Sequence, residues 1–254
     1  MLEVRIDGKR IRAEKDEFIL QVAKREGIVL PTLCHHKAIA GLGSCRMCIV
    51  EIDEGTGRKV VASCVYPLKR AGEIFTKSEK ISRLRRGIIS MLRDRAPQDP
   101  YLQQLCTEYS VPQSQRYVVP PNLKCVLCGR CAAACAALGN GAIATVGRGT
   151  AKKVSTPYDT GSSDCIGCGA CVQVCPVGAI ECIETKDTRT LWNKTFTLIP
   201  CEQCGVPFAT KEALNVVREK TFSGTHSHLA LCPDCKRKEV LRTPVRAKEK
   251  SPPD

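Results

Sequence analysis

The sequence predicts an α+β protein made of small cysteine-bearing modules in series, and three observations predict it. Eighteen of the 254 residues are cysteine while aromatic residues make up only 4%, so metal or disulfide must do part of the work of a large apolar core. Most of the cysteines fall in groups whose members are three or four residues apart, a spacing that turns neighbouring thiolates onto one small ion or cluster but would strain a disulfide. Strand-type alternation and helical periodicity both occur, in separate short stretches. No apolar run approaches the roughly 18 residues needed to cross a bilayer, and the opening MLEVRIDGKR is charged where an export signal would be apolar. The expected compartment is therefore the reducing cytoplasm, where thiolates stay available for metal.

Residues 1–76 open with Leu2, Val4 and Ile6 alternating, a turn at Asp7-Gly8 and a second strand through Ile11, the pattern of a tight hairpin. A helix follows, with Asp16 as the expected N-cap, Ile19, Val22 and Ala23 on one face and Gly27 beyond its end. A glycine-containing loop, PTLCHHKAIAGLGSCRMC, then runs into a strand, the turn DEGTG and a strand that delivers Cys64. The whole reads as a compact β-grasp-like unit. Its cysteines, Cys34-x10-Cys45-x2-Cys48-x15-Cys64, depart from the plant-ferredoxin spacing, but a close pair flanked by one cysteine on each side encloses a 2Fe-2S cluster. His35 and His36 invite a Rieske reading, yet that centre needs two cysteines and two histidines, and four cysteines are already in place.

Residues 77–124 are read as a helix and a linker. Ser78 to Arg95 carries Ile81, Leu84, Ile88 and Met91 on an apolar face, with Lys80, Arg83, Arg85, Arg86, Arg93 and Arg95 opposite. The Pro- and Gln-rich stretch 97–122 follows.

The block 125–185 holds the strongest signal. CVLCGRCAAAC (125–135) and CIGCGACVQVCP (165–176) both have the spacing C-x2-C-x2-C-x3-C of bacterial two-cluster ferredoxins, in which the fourth cysteine of each run reaches the other cluster. The expected ligands are Cys125, Cys128, Cys131 and Cys175 for one 4Fe-4S cluster and Cys165, Cys168, Cys171 and Cys135 for the other. Gly129, Gly167 and Gly169 let the backbone approach the sulfides. Two zinc knuckles are the competing reading, but these runs lack the gap of a zinc ribbon. Ala136 stands where the first run would carry proline.

Residues 186–236 are read as a small zinc-ribbon or rubredoxin-like module. CEQC and CPDC place Cys201, Cys204, Cys232 and Cys235 as two pairs around a helix expected over 211–220, a set suited to one tetrahedral ion. Zinc is the first choice, with a single iron or a further cluster as alternatives that share the four-thiolate shell. Residues 237–254 are expected to form a disordered basic tail. Cys106 and Cys182 read most simply as buried small side chains.

These motifs carry a resemblance. CVLCGRCAAAC with STPYDTGSSDCIGCGACVQVCPVGAI is similar to the dicluster segment of the iron-sulfur subunits of NAD-linked hydrogenases and of the large iron-sulfur subunit of respiratory complex I. PTLCHH and G-x-C-R-x-C-x-V-E resemble the 2Fe-2S domain of the same subunits, so the resemblance covers roughly residues 1–185. CEQCGVPFATKEAL also resembles the tail of ferredoxin-like subunits of hydrogenase and formate hydrogenlyase complexes, where it implies docking or stabilisation. The complex I relative carries a further cluster held by one histidine and three cysteines between these domains; only Cys106 occupies that interval here, and that cluster is expected to be absent. The resemblance implies an electron-transfer subunit of a hetero-oligomer. It would relay electrons between a flavoprotein subunit that oxidises NAD(P)H and a hydrogenase or formate dehydrogenase catalytic subunit.

No G-x-x-x-x-G-K-[ST] or strand-linked G-x-G-x-x-G motif occurs, so the chain carries no expected nucleotide or flavin site and leaves bond chemistry to partners. An iron-sulfur redox sensor with a nucleic-acid-binding tail is the alternative; no helix-turn-helix or RNA-binding pattern supports it. The formal charge of +13 is offset by about −2 at each four-thiolate centre. Much of the basic excess is thus expected to compensate buried negative charge, the remainder facing solvent or acidic partners.

Overall fold

The computed structural model describes residues 1–39, 41–112, 124–220 and 229–242. The chain divides into two compact units, Met1–Tyr158 with Ala170–Glu181, and Asp159–Gly169 with the chain from Cys182 onward.

The first unit begins with the expected hairpin, β1 (Leu2–Ile6) against β2 (Lys9–Ala13). Its turn uses Asp7 and Gly8, both at positive φ, 48° and 85°, the handedness that matches strand twist. With β3 (Ile49–Asp53), β4 (Arg58–Ala62) and β5 (Glu73–Phe75) it forms a five-stranded sheet of order β2-β1-β5-β3-β4. β1 and β5 are its parallel pair. Helix α1 (Ile19–Arg25) covers one face of this sheet, burying Ile19, Leu20, Val22 and Ala23 in the same core as Val4, Ile6, Ile11 and Ile52. Asp16 is not its cap. Asp16 sits at φ 67° and donates its N–H to the carbonyl of Leu68 at 2.7 Å, and Phe18 takes the cap position, its N–H held by Gln21. Pairing with the 66–68 strap therefore overrides the local capping signal.

Helix α2 (Glu79–Arg95) is capped by Ser78, whose Oγ accepts from the N–H of Ile81 at 3.2 Å. Its buried face is Ile81, Arg85 and Ile89, while Leu84 and Met91 are exposed. The helix is thus rotated from the face that hydrophobicity alone selects, because Arg85 is drawn inward by backbone acceptors. The stretch read as a linker contains helix α3 (Pro100–Glu108), capped by Asp99 with Pro100 in its first turn and Leu102 and Leu105 buried; residues 113–122 lie outside the described part. Helix α4 (Arg130–Ala137), the short hairpin β6 (Ala144–Val146) and β7 (Lys153–Ser155), and helix α5 (Ala170–Gln173) complete the unit.

In the second unit β8 (Cys182–Glu184), β9 (Thr188–Leu191), β10 (Lys194–Pro200) and β11 (Pro207–Thr210) form an antiparallel sheet of order β11-β10-β9-β8. Phe196 is buried at its centre. Helix α6 (Lys211–Lys220) lies where the periodicity places it. Of the expected disordered tail, residues 237–242 are helical, as part of helix α7 (Pro233–Arg242), which Pro233 and Asp234 open; residues 243–254 lie outside the described part. Among the described residues no helix is long and apolar enough to cross a membrane.

Candidate iron-sulfur and metal centres

Cys34, Cys45, Cys48 and Cys64 are all buried. Cys34 and Cys45 come from the loop before β3, Cys48 from the turn immediately preceding β3 and Cys64 from the turn after β4. The loop closes tightly: a Cβ on Gly41 would lie 2.5 Å from the carbonyl oxygen of Cys64, and Gly43 sits at φ 60°. The N–H of Cys34 donates to Sγ of Cys45 at 3.4 Å. Hydrogen bonds from the Cys45 and Cys64 thiols hold Cys34 well below the ordinary thiol range. Cys48 falls to about 6, chiefly through the Cys64 thiol. Cys45 and Cys64 are pushed up in turn, mainly by the same partners. Four thiols converging in a buried place cannot all ionise against one another unless a shared cation compensates them, so this donor set fits a metal cluster. His35 is driven below its usual range by burial and by the charges of Lys24 and Arg130.

In the second set, Gly129 takes a left-handed conformation at φ 81° and starts α4, which carries Cys131 and Cys135. N–H groups point at sulfur here as well: Leu127 donates to Cys125 at 3.4 Å and Ala179 to Cys175 at 3.2 Å. Burial pushes Cys131 up to about 12, and the charges of Cys128, Cys125 and Cys175 add to that rise. The structure therefore brings Cys125, Cys128, Cys131 and Cys175 within electrostatic reach of one another in the first unit. Of the remaining set, Cys135 and Cys171 belong to the first unit, while Cys165 and Cys168 belong to the second. In the latter, Gly167 (φ 65°) packs so closely that a Cβ would meet the Phe196 ring at 2.7 Å and Thr210 Cγ2 at 2.9 Å. That contact sets the path of the loop between Cys165 and Cys168.

Sγ atoms of Cys201, Cys204, Cys232 and Cys235 all lie within 4.8 Å of one another. Cys204 and Cys232 are 3.8 Å apart, and the N–H groups of Cys232 and Cys235 donate to Cys201 and Cys232 at 3.3 and 3.5 Å. Four thiolates bonded to one tetrahedral ion at about 2.3 Å have sulfurs about 3.8 Å apart, so this set fits a single ion. Burial opposes ionisation of Cys201, yet N–H donors from Cys232, Cys204 and Gln203 bring it down to about 6. Cys235 is raised to about 12 by burial and the neighbouring thiols. Cys106 and Cys182 are half-buried rather than buried, and burial together with the Glu184 charge raises Cys182.

The sequence pointed to basic compensation of buried negative charge but not to the particular cations that hold these loops. Arg85 is buried and donates from Nε to the carbonyl of Met47 at 3.1 Å, from Nη2 to that of Ile49 at 2.7 Å and from Nη1 to the Tyr109 hydroxyl at 2.9 Å. These carbonyls flank Cys48. Arg95 donates to the carbonyl of Cys125 at 3.0 Å, Arg130 to that of Leu33 at 3.2 Å and Lys194 to that of Cys165 at 2.8 Å. Each cation thus sits beside a cluster-type cysteine, where it offsets negative charge. Arg85 and Arg95 are correspondingly not part of a solvated basic face. The one available signal was position: Arg130 lies between two cysteines of a single run, and Arg85 lies four residues from both Ile81 and Ile89.

Within the first unit, Leu33, Cys34, Cys45 and Met47 share one core with Ile89, Leu102, Leu105, Val126 and Cys128. Helices α2 and α3 thereby join the two cysteine loops, and the Ser44 hydroxyl donates to the carbonyl of Cys128 at 2.7 Å.

Residues 1–79 match a family described as a 2Fe-2S iron-sulfur cluster binding domain, and residues 124–179 match a 4Fe-4S dicluster domain. Among curated proteins the chain is 34% identical over 229 residues to the NADPH-Fe(3+) oxidoreductase subunit alpha of Geobacter sulfurreducens, across 80% of this chain and 27% of that protein. It is 30% identical over 217 residues to the NADH-ubiquinone oxidoreductase 75 kDa subunit of Reclinomonas americana, across 76% of this chain and 31% of the relative. The chain therefore spans less than a third of the length of these relatives. Among solved structures, a chain of an NAD+-reducing [NiFe]-hydrogenase in the H2-reduced state matches with a TM-score of 0.59 and 26% identity, over 70% of this chain and 86% of the other. All three are parts of oxidoreductases, which does not favour the regulatory alternative.

Proposed function

From a chain that is an iron-sulfur protein, carrying a 2Fe-2S cluster binding domain and a 4Fe-4S dicluster domain and homologous to subunits of NAD(P)H oxidoreductases, we propose an electron-transfer subunit. It relays electrons between a flavoprotein that oxidises NAD(P)H and a hydrogenase or formate dehydrogenase catalytic subunit, in a cytoplasmic hetero-oligomer. In this reading Cys34, Cys45, Cys48 and Cys64 hold the 2Fe-2S cluster. Cys125, Cys128, Cys131 and Cys175 hold one 4Fe-4S cluster, and Cys165, Cys168, Cys171 and Cys135 the other. The bound clusters supply one-electron chemistry; the chain ligates them, buries all four cysteines of the first set and neutralises their charge with Arg85, Arg95 and Arg130. The shared core of Cys34, Cys45 and Cys128 carries the reading, since it joins two cysteine sets through packed side chains and a hydrogen bond.

At Cys201, Cys204, Cys232 and Cys235 we assign zinc in a ribbon-like module that stabilises the C-terminal part. The compact sulfur spacing favours one ion over a cubane, whose four irons would hold the thiolates further apart. Anaerobic affinity purification of the tagged protein from its native host, with mass spectrometry of what co-purifies, tests the relay. Recovery of a flavoprotein together with a hydrogenase or formate dehydrogenase is expected; recovery of the chain alone contradicts the subunit reading.

A further inference from the structure

We propose that Arg130 is a shared positioning residue that sets the reduction potentials of two centres together, the one at Cys34, Cys45, Cys48 and Cys64 and the one at Cys125, Cys128, Cys131 and Cys175. The inference rests on the ligand reading above and adds a role for a residue that ligates neither cluster.

Arg130 lies between Cys128 and Cys131, in the first turn of α4. Its guanidinium crosses to the other cysteine loop, donating from Nη1 to the carbonyl of Leu33, the neighbour of Cys34, at 3.2 Å. The bond spans 97 residues of sequence, and in the opposite direction Ser44, the neighbour of Cys45, donates to the carbonyl of Cys128 at 2.7 Å. The two loops are therefore clasped by a reciprocal pair of hydrogen bonds, each made by a residue adjacent to a cysteine. Leu42 of the first loop lies over Gly129, its Cδ1 3.7 Å from where a Cβ there would stand.

The second observation concerns what Arg130 lacks. Its Nε is buried and has no hydrogen-bond acceptor among the described residues. A guanidinium stays charged at any relevant pH, and this half-buried one, with an Nε cut off from water and left without an acceptor, is unfavourable unless negative charge lies close by. Carboxylates pair with Arg25, Arg189 and Arg237; Arg130 instead lies between Cys128 and Cys131 and is bonded to the neighbour of Cys34, which puts the two cysteine sets on either side of it.

The sign follows from electrostatics. Each of these centres carries about −2 when oxidised and about −3 after accepting one electron. A fixed positive charge stabilises the more negative state more strongly, so Arg130 raises both potentials, and because it is shared it raises them together. Keeping neighbouring centres close in potential is what a relay requires, since a large downward step for one alone would trap the electron.

The test is an EPR-monitored redox titration of the anaerobically purified full chain, with wild type, Arg130→Gln, Arg130→Met and Arg130→Lys compared. In both neutral variants the midpoints of the 2Fe-2S signal and of the faster-relaxing 4Fe-4S signal are expected to shift downward together, and Arg130→Lys is expected to restore most of the shift. Loss of both signals in both neutral variants, with signals and midpoints retained in Arg130→Lys, supports the same requirement for charge. Unchanged midpoints in either neutral variant, or movement of one centre alone, overturns the proposal while leaving the ligand reading in place. Absence of a 2Fe-2S signal from wild type would instead overturn the ligand reading itself.

Discussion

Arg85 shows how a single charged side chain can belong to the interior. Its guanidinium satisfies the carbonyls of Met47 and Ile49 on either side of Cys48 and the hydroxyl of Tyr109, so its charge is spent on the backbone that aims a ligand. Arg85→Met keeps apolar bulk but orphans these acceptors, and is expected to lower stability by about 3 kcal/mol; denaturant unfolding of the holoprotein measures it, with loss of visible 2Fe-2S absorption preceding global unfolding. Glu51 is a second buried charge. The Ser78 hydroxyl and then the Lys80 ammonium hold its carboxyl below the ordinary value of 4.5, against the opposing effect of burial. A depressed folded pKa means that this stabilisation is complete above the unfolded value and is lost as pH falls below about 4.5 toward the folded value. The melting temperature of wild type minus that of Glu51→Gln is therefore expected to be constant from pH 7 to about 5.5 and to shrink below about 4.5. Neither role was legible in sequence, because periodicity assigns a charged residue to the solvent face by default. Arg85 and Glu51 are inside only because distant backbone and side-chain partners await them.

Elements were legible in proportion to how local their causes are. The β1–β2 hairpin follows from Asp7-Gly8 and alternation, and α6 over Lys211–Lys220 from its own periodicity. The start of α1 was not, since Asp16 is captured by Leu68, a partner far away in sequence. Helix α3 carried an Asp-Pro start signal at Asp99-Pro100 that the surrounding prolines and glutamines obscured. The cysteine loops were readable as motifs, but their shaping depends on packing. Gly167 shows this: Ala there would combine a left-handed backbone with contact on Phe196 and is expected to destabilise the second unit by about 3 kcal/mol. Iron analysis of Gly167→Ala should show a deficit of about four atoms per chain, the content of one cubane.

Across the whole molecule, eighteen cysteines and a charge of +13 are two aspects of one arrangement. Basic side chains hold the carbonyls of Cys125 and Cys165 and those next to Cys34 and Cys48, which in the proposed reading balances the negative charge of thiolate-bound clusters in a poorly solvated interior. In the C-terminal module Cys201, Cys232 and Cys235 pack with Phe208 and Leu231 among the described residues, so the proposed zinc is expected to hold this small cluster together. Cys232→Ser is expected to reduce zinc from about one per chain to near zero, leave iron unchanged and expose α7 to trypsin. In the proposed function the first twelve motif cysteines serve three clusters. Quantifying iron, acid-labile sulfide and zinc in the anaerobically purified full chain tests it most directly: about ten iron, ten sulfide and one zinc per chain are predicted, whereas zinc in several-fold excess over iron, with little labile sulfide, would contradict it.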